Sequence, residues 1–170
     1  MDIYSEQLVR KERGLSYVLK KTGILVGAFI LSLLFIGVIL MFFRLLAMIG
    51  FLGGFGILYL GIYLSNTLDI EYEYIVTGTC LDIDKIIAMK TRKRLISVDI
   101  PTFEQFGKYT EDTEIPDCNA TIEAIYSRTA PLYYAVFDDE RYGKTLLLFN
   151  PDDKTLDTID TSLPRQLRVF

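Results

Sequence analysis

Histidine is missing from this 170-residue chain, and with it go the commonest general base and the commonest metal ligand. Cysteine occurs only as Cys80 and Cys118, without the C-x-x-C spacing of a redox or zinc motif. Both are read as free thiols that act as small apolar fillers. Charge is nearly absent from one long stretch: Arg44 is the only charged side chain among the 47 residues from Thr22 to Leu68. These shortages disfavour most enzyme classes and any metal centre, so no catalytic residue, cofactor or metal is expected. They also set one segment apart from ordinary soluble sequence.

As one straight helix that segment would run roughly 70 Å, more than twice a bilayer's ~30 Å hydrocarbon core. It is therefore expected to cross twice, as antiparallel helices over Ile24–Phe43 and Leu45–Leu64 that turn near Arg44. The first span holds fifteen Leu, Ile, Val or Phe residues and inserts strongly. The second holds eleven, with glycines at 50, 53, 54, 56 and 61, and needs a packing partner. Ala47, Gly50, Gly54 and Gly61 share a helical face; in an antiparallel hairpin Gly37 lies near the depth of Gly50, and Gly27 near that of Gly61. Close backbone packing through Gly27, Gly37, Gly50, Gly54 and Gly61 is the expected role, with a homo-oligomer interface on the same face as the competing use. Gly53-Gly54-Phe55-Gly56 lies inside the apolar run and is not a phosphate loop.

Residues 1–21 carry five Lys/Arg and three Asp/Glu, net +2. Tyr4, Leu8, Leu15, Val18 and Leu19 mostly fall on one helical stripe, which suggests an interfacial helix or else a solvated leader. A cleavable signal peptide is not expected, because the apolar region is too long and no small-x-small site precedes polar sequence. Basic residues before the hairpin, and Lys85 with Lys90–Arg94 after it, place both termini in the cytoplasm. The expected location is a cell membrane, in two spans. Residues 69–170 hold twelve Lys/Arg against nineteen Asp/Glu, net −7, which makes a poor general binder of nucleic acid.

From Asp69 the period changes to two. Ile70, Tyr72, Tyr74 and Val76 alternate with Glu71, Glu73, Ile75 and Thr77, as in a half-buried strand. Thr77-Gly78-Thr79 reads as a turn, Cys80–Met89 as a second strand, Lys90–Arg94 as a second tip, and Leu95–Ile100 as a third strand ended by Pro101. Thr102–Tyr109 is expected to form a short helical turn, with Phe103 and Phe106 over the sheet, and Glu111–Asp117 an acidic loop. Thr121–Tyr126, Leu132–Phe137 and Thr145–Phe149 read as three further strands. A terminal helix follows, with Asn150 as its N-cap, Pro151 at its first position, an apolar stripe of Leu156, Ile159 and Leu163, and Pro164 as its stop.

A meander of strands closed by one amphipathic helix is also the layout of PH-like domains. The segments Tyr72-Glu73-Tyr74-Ile75-Val76-Thr77-Gly78, Leu81-Asp82-Ile83, Lys93-Arg94 and Asp99 to Phe103 resemble small bacterial membrane proteins with a helical hairpin and a PH-like domain, such as the YcxB-like group. The resemblance implies a membrane α-helical hairpin plus a mainly antiparallel β, PH-like domain of about six strands closed by a C-terminal amphipathic helix. It transfers no catalytic residue.

The best candidate binding element is the basic tip, Lys90, Arg92, Lys93 and Arg94, which could clamp phosphate or anionic headgroups. The alternative is a solvated loop whose charges discourage strand-edge aggregation. The pairs Asp82/Asp84, Asp138/Asp139 and Asp152/Asp153 have ordinary places on a strand face, beside a turn and in a helix's first turn. The function expected is a non-catalytic, membrane-anchored module recognising a protein partner or the anionic lipid surface; the alternative is an accessory subunit of a transport or envelope complex that docks through the hairpin.

Overall fold

The computed structural model describes residues 4–127 and 129–167. Two compact units emerge, Arg13–Asp69 and the pair of segments Met1–Glu12 with Ile70–Phe170. In chain order the helical unit therefore interrupts the β unit.

The helical unit comprises α1 (Leu15–Phe42) and α2 (Ala47–Asn66), joined through Phe43 and a 3-10 turn at Arg44–Leu46. Both helices are long and apolar enough to cross a membrane. Gly50, Gly54, Gly61 and Ser65 are the buried residues of α2. A methyl group at Gly61 would lie 2.3 Å from Ala28 Cβ, one at Gly54 2.6 Å from the Ile36 side chain, and one at Gly50 2.8 Å from Ile39. Ser32 Oγ, buried between the helices, donates to the Gly54 carbonyl at 2.9 Å. The helices are thus close enough for a side-chain-to-backbone hydrogen bond. At the base of the hairpin the Tyr17 hydroxyl donates to Asp69, and Lys21 Nζ reaches Asp69 at 2.9 Å and the Tyr17 oxygen at 3.0 Å.

The β unit contains two four-stranded sheets. In the first, β1 (Tyr4–Arg10), β2 (Ile70–Thr77), β3 (Cys80–Ile87) and β4 (Thr91–Asp99) lie in that order, all antiparallel. Gly78, at φ +60°, makes the β2–β3 turn. The second contains β5 (Gln105–Lys108), β6 (Ala120–Ala124), β7 (Tyr133–Asp139) and β8 (Gly143–Phe149) in the order β5-β7-β8-β6, with β6 parallel to β8. Tyr74, Leu81, Ile83, Phe137, Leu147 and Phe149 are fully buried in a core shared with Ile159 and Leu163 from the end of the chain. A smaller cluster of Val136, Leu146 and Leu148 is covered by Tyr109, Ile115 and Cys118. Tyr74 donates its hydroxyl to the Ala124 carbonyl at 2.5 Å, and its burial raises its pKa well above the usual tyrosine value.

Several sequence expectations are corrected. Residues 4–10 form a strand and not an interfacial helix, and α1 starts at Leu15. The strand turns Ser5 and Gln7 inward and leaves Tyr4 and Leu8 exposed, the reverse of the usual polarity. This is stable because Gln7 Nε2 donates to the Asn150 carbonyl (3.3 Å), its Oε1 accepts from Asp152 N (2.9 Å), and Ser5 and Thr155 hydroxyls meet at 3.1 Å. The expected helical turn at Thr102–Tyr109 is a short 3-10 turn, Ile100–Thr102, followed by β5. Phe103, which caps the turn, stacks on Phe137, and Phe106 on β5 stacks on Tyr133. The final helix, α3, spans Asp153–Ser162, and its N-cap is Asp152, whose carboxylate accepts from Thr155 N at 2.8 Å. Asn150 instead lies buried, accepting from Tyr126 N and Ser127 N and donating to the Ala130 and Pro131 carbonyls.

Candidate binding site

Strands β3 and β4 meet at a tight turn in which Lys90 N donates to the Ile87 carbonyl at 3.1 Å. Ala88 and Met89 between them have φ of 54° and 56°, the type I′ geometry that usually takes Asn or Gly. Met89 is left exposed at the tip.

The four basic residues of this hairpin separate into two kinds. Arg92 places NH2 3.1 Å from Glu73 Oε1 and 2.9 Å from Oε2, only the first contact having hydrogen-bond geometry, and its NH1 lies 3.8 Å from Asp84. Arg94 binds Asp84 at 2.8 Å and Asp82 at 2.9 Å. Glu73 and Asp84 are only 5% and 2% exposed, so the guanidinium groups cover carboxylates that would otherwise be costly to bury. The register explains the cluster: Glu73 sits opposite Asp84, and Asp84 opposite Arg94, across three adjacent strands. Arg10 extends the arrangement to β1 by pairing with Glu71 at 2.6 Å. Lys90 and Lys93 have no ion-pair partner among the described residues. Two of the four cations are therefore structural, and two are available. The period-two alternation of Glu71/Glu73, Asp82/Asp84 and Arg92/Arg94 was the sequence signal for this face, but pairing the three strands in register was needed to read it.

Of the five glycines expected at the helix contact, Gly50, Gly54 and Gly61 touch α1, whereas Gly27 and Gly37 have open surroundings. Ala28, Ser32, Ile36 and Ile39 supply the opposing surface instead. A mixed interface suffices because one glycine per level already admits a close approach.

A second feature of the β unit lies along the other side of β4. This strand ends its sheet, and its residues Leu95–Asp99 line a cleft of about 500 Å³ whose far wall is the β7–β8 turn, Asp138–Tyr142. Asp139 is occupied in shaping that turn, accepting from Arg141 N and Tyr142 N. Asp99, Asp138 and Glu140 remain exposed. No group of three or more His, Cys, Asp or Glu among the described residues is placed to hold a metal ion. Burial raises the Cys118 thiol above its ordinary pKa, which leaves it a poor nucleophile.

The family described as Bacterial PH-like domain (DUF6106) matches over residues 1–169. The chain belongs to this family. The match takes in β1, the helical hairpin and the β unit together, so the interruption of the sheet by two helices falls within the family's extent. No curated protein and no solved structure matches the chain. PH-like domains are generally non-catalytic.

Proposed function

We propose that this protein is a non-catalytic, membrane-tethered PH-like module whose β unit recognises a protein partner. In this reading α1 and α2 cross the bacterial inner membrane and both termini lie in the cytoplasm. The observation that carries it is the position of the hairpin between β1 and β2. A domain whose first two paired strands flank an apolar hairpin stays at the membrane surface, where its ligands must be found. The ion pairs favour a protein over a lipid surface: Arg92 and Arg94 are already neutralised, and a domain with net −7 over residues 69–170 is repelled by anionic headgroups.

The test is site-specific photocrosslinking in the native membrane, with the crosslinker placed at exposed positions of the β unit, such as Lys93 and Tyr142, and at Gly27 and Gly37 of α1. Discrete protein adducts from the β unit are expected. Adducts confined to the helix positions would favour the runner-up, an accessory subunit that docks through the hairpin. One observation speaks for that second reading: Gly23 and Gly27, one helical turn apart, have open space where a second helix could approach.

A further inference from the structure

We infer that the outer edge of β4 is a docking site for a Lys/Arg-rich extended segment of the partner protein, which adds as a fifth strand to the first sheet. The inference rests on the binding-module reading and specifies its surface and ligand chemistry.

The edge is open only along part of its length. Toward the tip it carries Arg92, Lys93 and Arg94, and a register shift between Ile83 and Asp84 leaves Leu95 as the extra residue on β4. Charges and bulges of this kind are how proteins prevent unwanted strand pairing. Beyond the bulge, Ile96, Ser97, Val98 and Asp99 pair regularly with Ile83, Asp82, Leu81 and Cys80, and neither Lys nor Pro interrupts them. Strand β4 is last in the sheet, so half of the backbone N–H and C=O groups of this stretch point away from β3. Among the described residues only the Asp99 carbonyl finds a partner there, Thr102 Oγ1 at 2.7 Å. This unprotected stretch is the one that lines the cleft. A volume of about 500 Å³ is in the range that holds a ligand.

Charge selects the occupant. Asp99, Asp138 and Glu140 line the cleft without a salt bridge among the described residues, Lys144 opposite Asp138 being bound to Glu104, whereas Arg94 is committed to Asp82 and Asp84, leaving Arg141 as the free cation among the lining residues. An incoming strand would form main-chain hydrogen bonds with β4, and its alternate side chains would face the acids. Lys and Arg are favoured at those positions and Asp and Glu are repelled. Cytoplasmic segments that flank membrane spans are enriched in Lys and Arg, so a module tethered to the same membrane would encounter such segments.

The test uses the full chain in zwitterionic nanodiscs and three fluorescein-labelled ten-residue peptides: alternating Lys and Val, the same sequence with alternate backbone amides N-methylated, and alternating Glu and Val. The Lys peptide should bind and slow amide exchange at Ile96–Val98. N-methylation, or the triple substitution Asp99→Asn, Asp138→Asn, Glu140→Gln, should weaken binding about tenfold or more, and the Glu peptide should not bind. These three side chains are exposed, so unchanged exchange in the rest of the β unit will verify that the variant folds. Absence of binding, binding indifferent to N-methylation, or protection by anionic vesicles in place of the peptide would overturn the inference. If photocrosslinks persist from other faces of the β unit while the peptide fails, the edge is wrong and the binding module stands; if both fail, both readings fall.

Discussion

The two units place their large side chains on opposite sides. In the hairpin the buried positions are Ser32, Gly50, Gly54, Gly61 and Ser65, while Phe29, Leu34, Leu52, Phe55 and Tyr59 point outward, each more than half exposed. In the β unit Tyr74, Phe137, Leu147 and Phe149 fill the interior. Water surrounding both units would not produce this inversion, because outward aromatic and aliphatic residues on two whole helices would be driven to aggregate. The pattern supports lipid around the hairpin, where large apolar groups cost nothing outside and small residues let backbones approach. The difference teaches that the same residue type has opposite value in the two units.

The largest effect expected follows directly. Phe149→Ala should destabilise the β unit by about 3–5 kcal/mol through the cavity it leaves. Phe55→Ala, on the hairpin's outer face, should change stability by less than about 0.5 kcal/mol in detergent. Denaturation of the two variants followed by amide exchange measures both, and equal losses would break the contrast. Next, the double substitution Arg92→Ala, Arg94→Ala should cost roughly 3 kcal/mol, because Glu73 and Asp84 would be left buried without counter-charges. Lys90→Ser with Lys93→Ser should leave stability unchanged. Replacing all four cations together would therefore confuse folding with binding, and only the lysine pair isolates a binding contribution from the tip.

Within the hairpin, Gly61→Ala should separate the helices at a cost of about 1–3 kcal/mol, since the new methyl meets the backbone-anchored Cβ of Ala28 and neither can rotate away. Gly27→Ala meets open space and should be neutral or slightly stabilising. Cysteine crosslinking between α1 and α2 reads the separation.

Smaller effects are expected at the periphery of each unit. The Tyr17 hydroxyl and then Lys21 hold Asp69 below the usual carboxylate pKa. Its contribution is thus fully present above the unfolded value near 4 and is lost as pH falls through the lower folded value. Thermal scans should show the hairpin losing about 1 kcal/mol over that acidic window, and Asp69→Asn should abolish that pH dependence while the β unit is unaffected. Met89→Gly should stabilise the β3–β4 turn by up to about 1 kcal/mol by removing a Cβ from positive φ, read as a rise in denaturation midpoint.

How much could be read before folding depended on whether a residue's neighbours were local. The strands β2 to β4 were legible because Tyr72, Tyr74, Val76, Leu81 and Ile83 alternate with polar residues, and Gly78 marks their turn. Strand β1 was not, because Ser5 and Gln7 face the interior and take their partners from Asn150, Asp152 and Thr155 at the far end of the chain. Asn150 looked like a helix cap, since Pro-Asp-Asp follows it, yet its bonds go to a loop some twenty residues earlier. The basic tip was visible as a run of cations. That Arg92 and Arg94 are neutralised, and Lys90 and Lys93 are not, required the cross-strand register.

Composition and periodicity alone determined the paired apolar helices, the acidic character of the β unit, the central hairpin strands and the amphipathic last helix, because each depends on contacts within one segment or on transfer between solvents. Only the tertiary structure decided that β1 joins β2 across the hairpin, that Ala28 and Ser32 rather than Gly27 and Gly37 meet the second helix, and that an unblunted stretch of β4 opens onto an acidic cleft. Those features arise from residues far apart in the chain, whose meeting is decided by register and packing and leaves no local period to read.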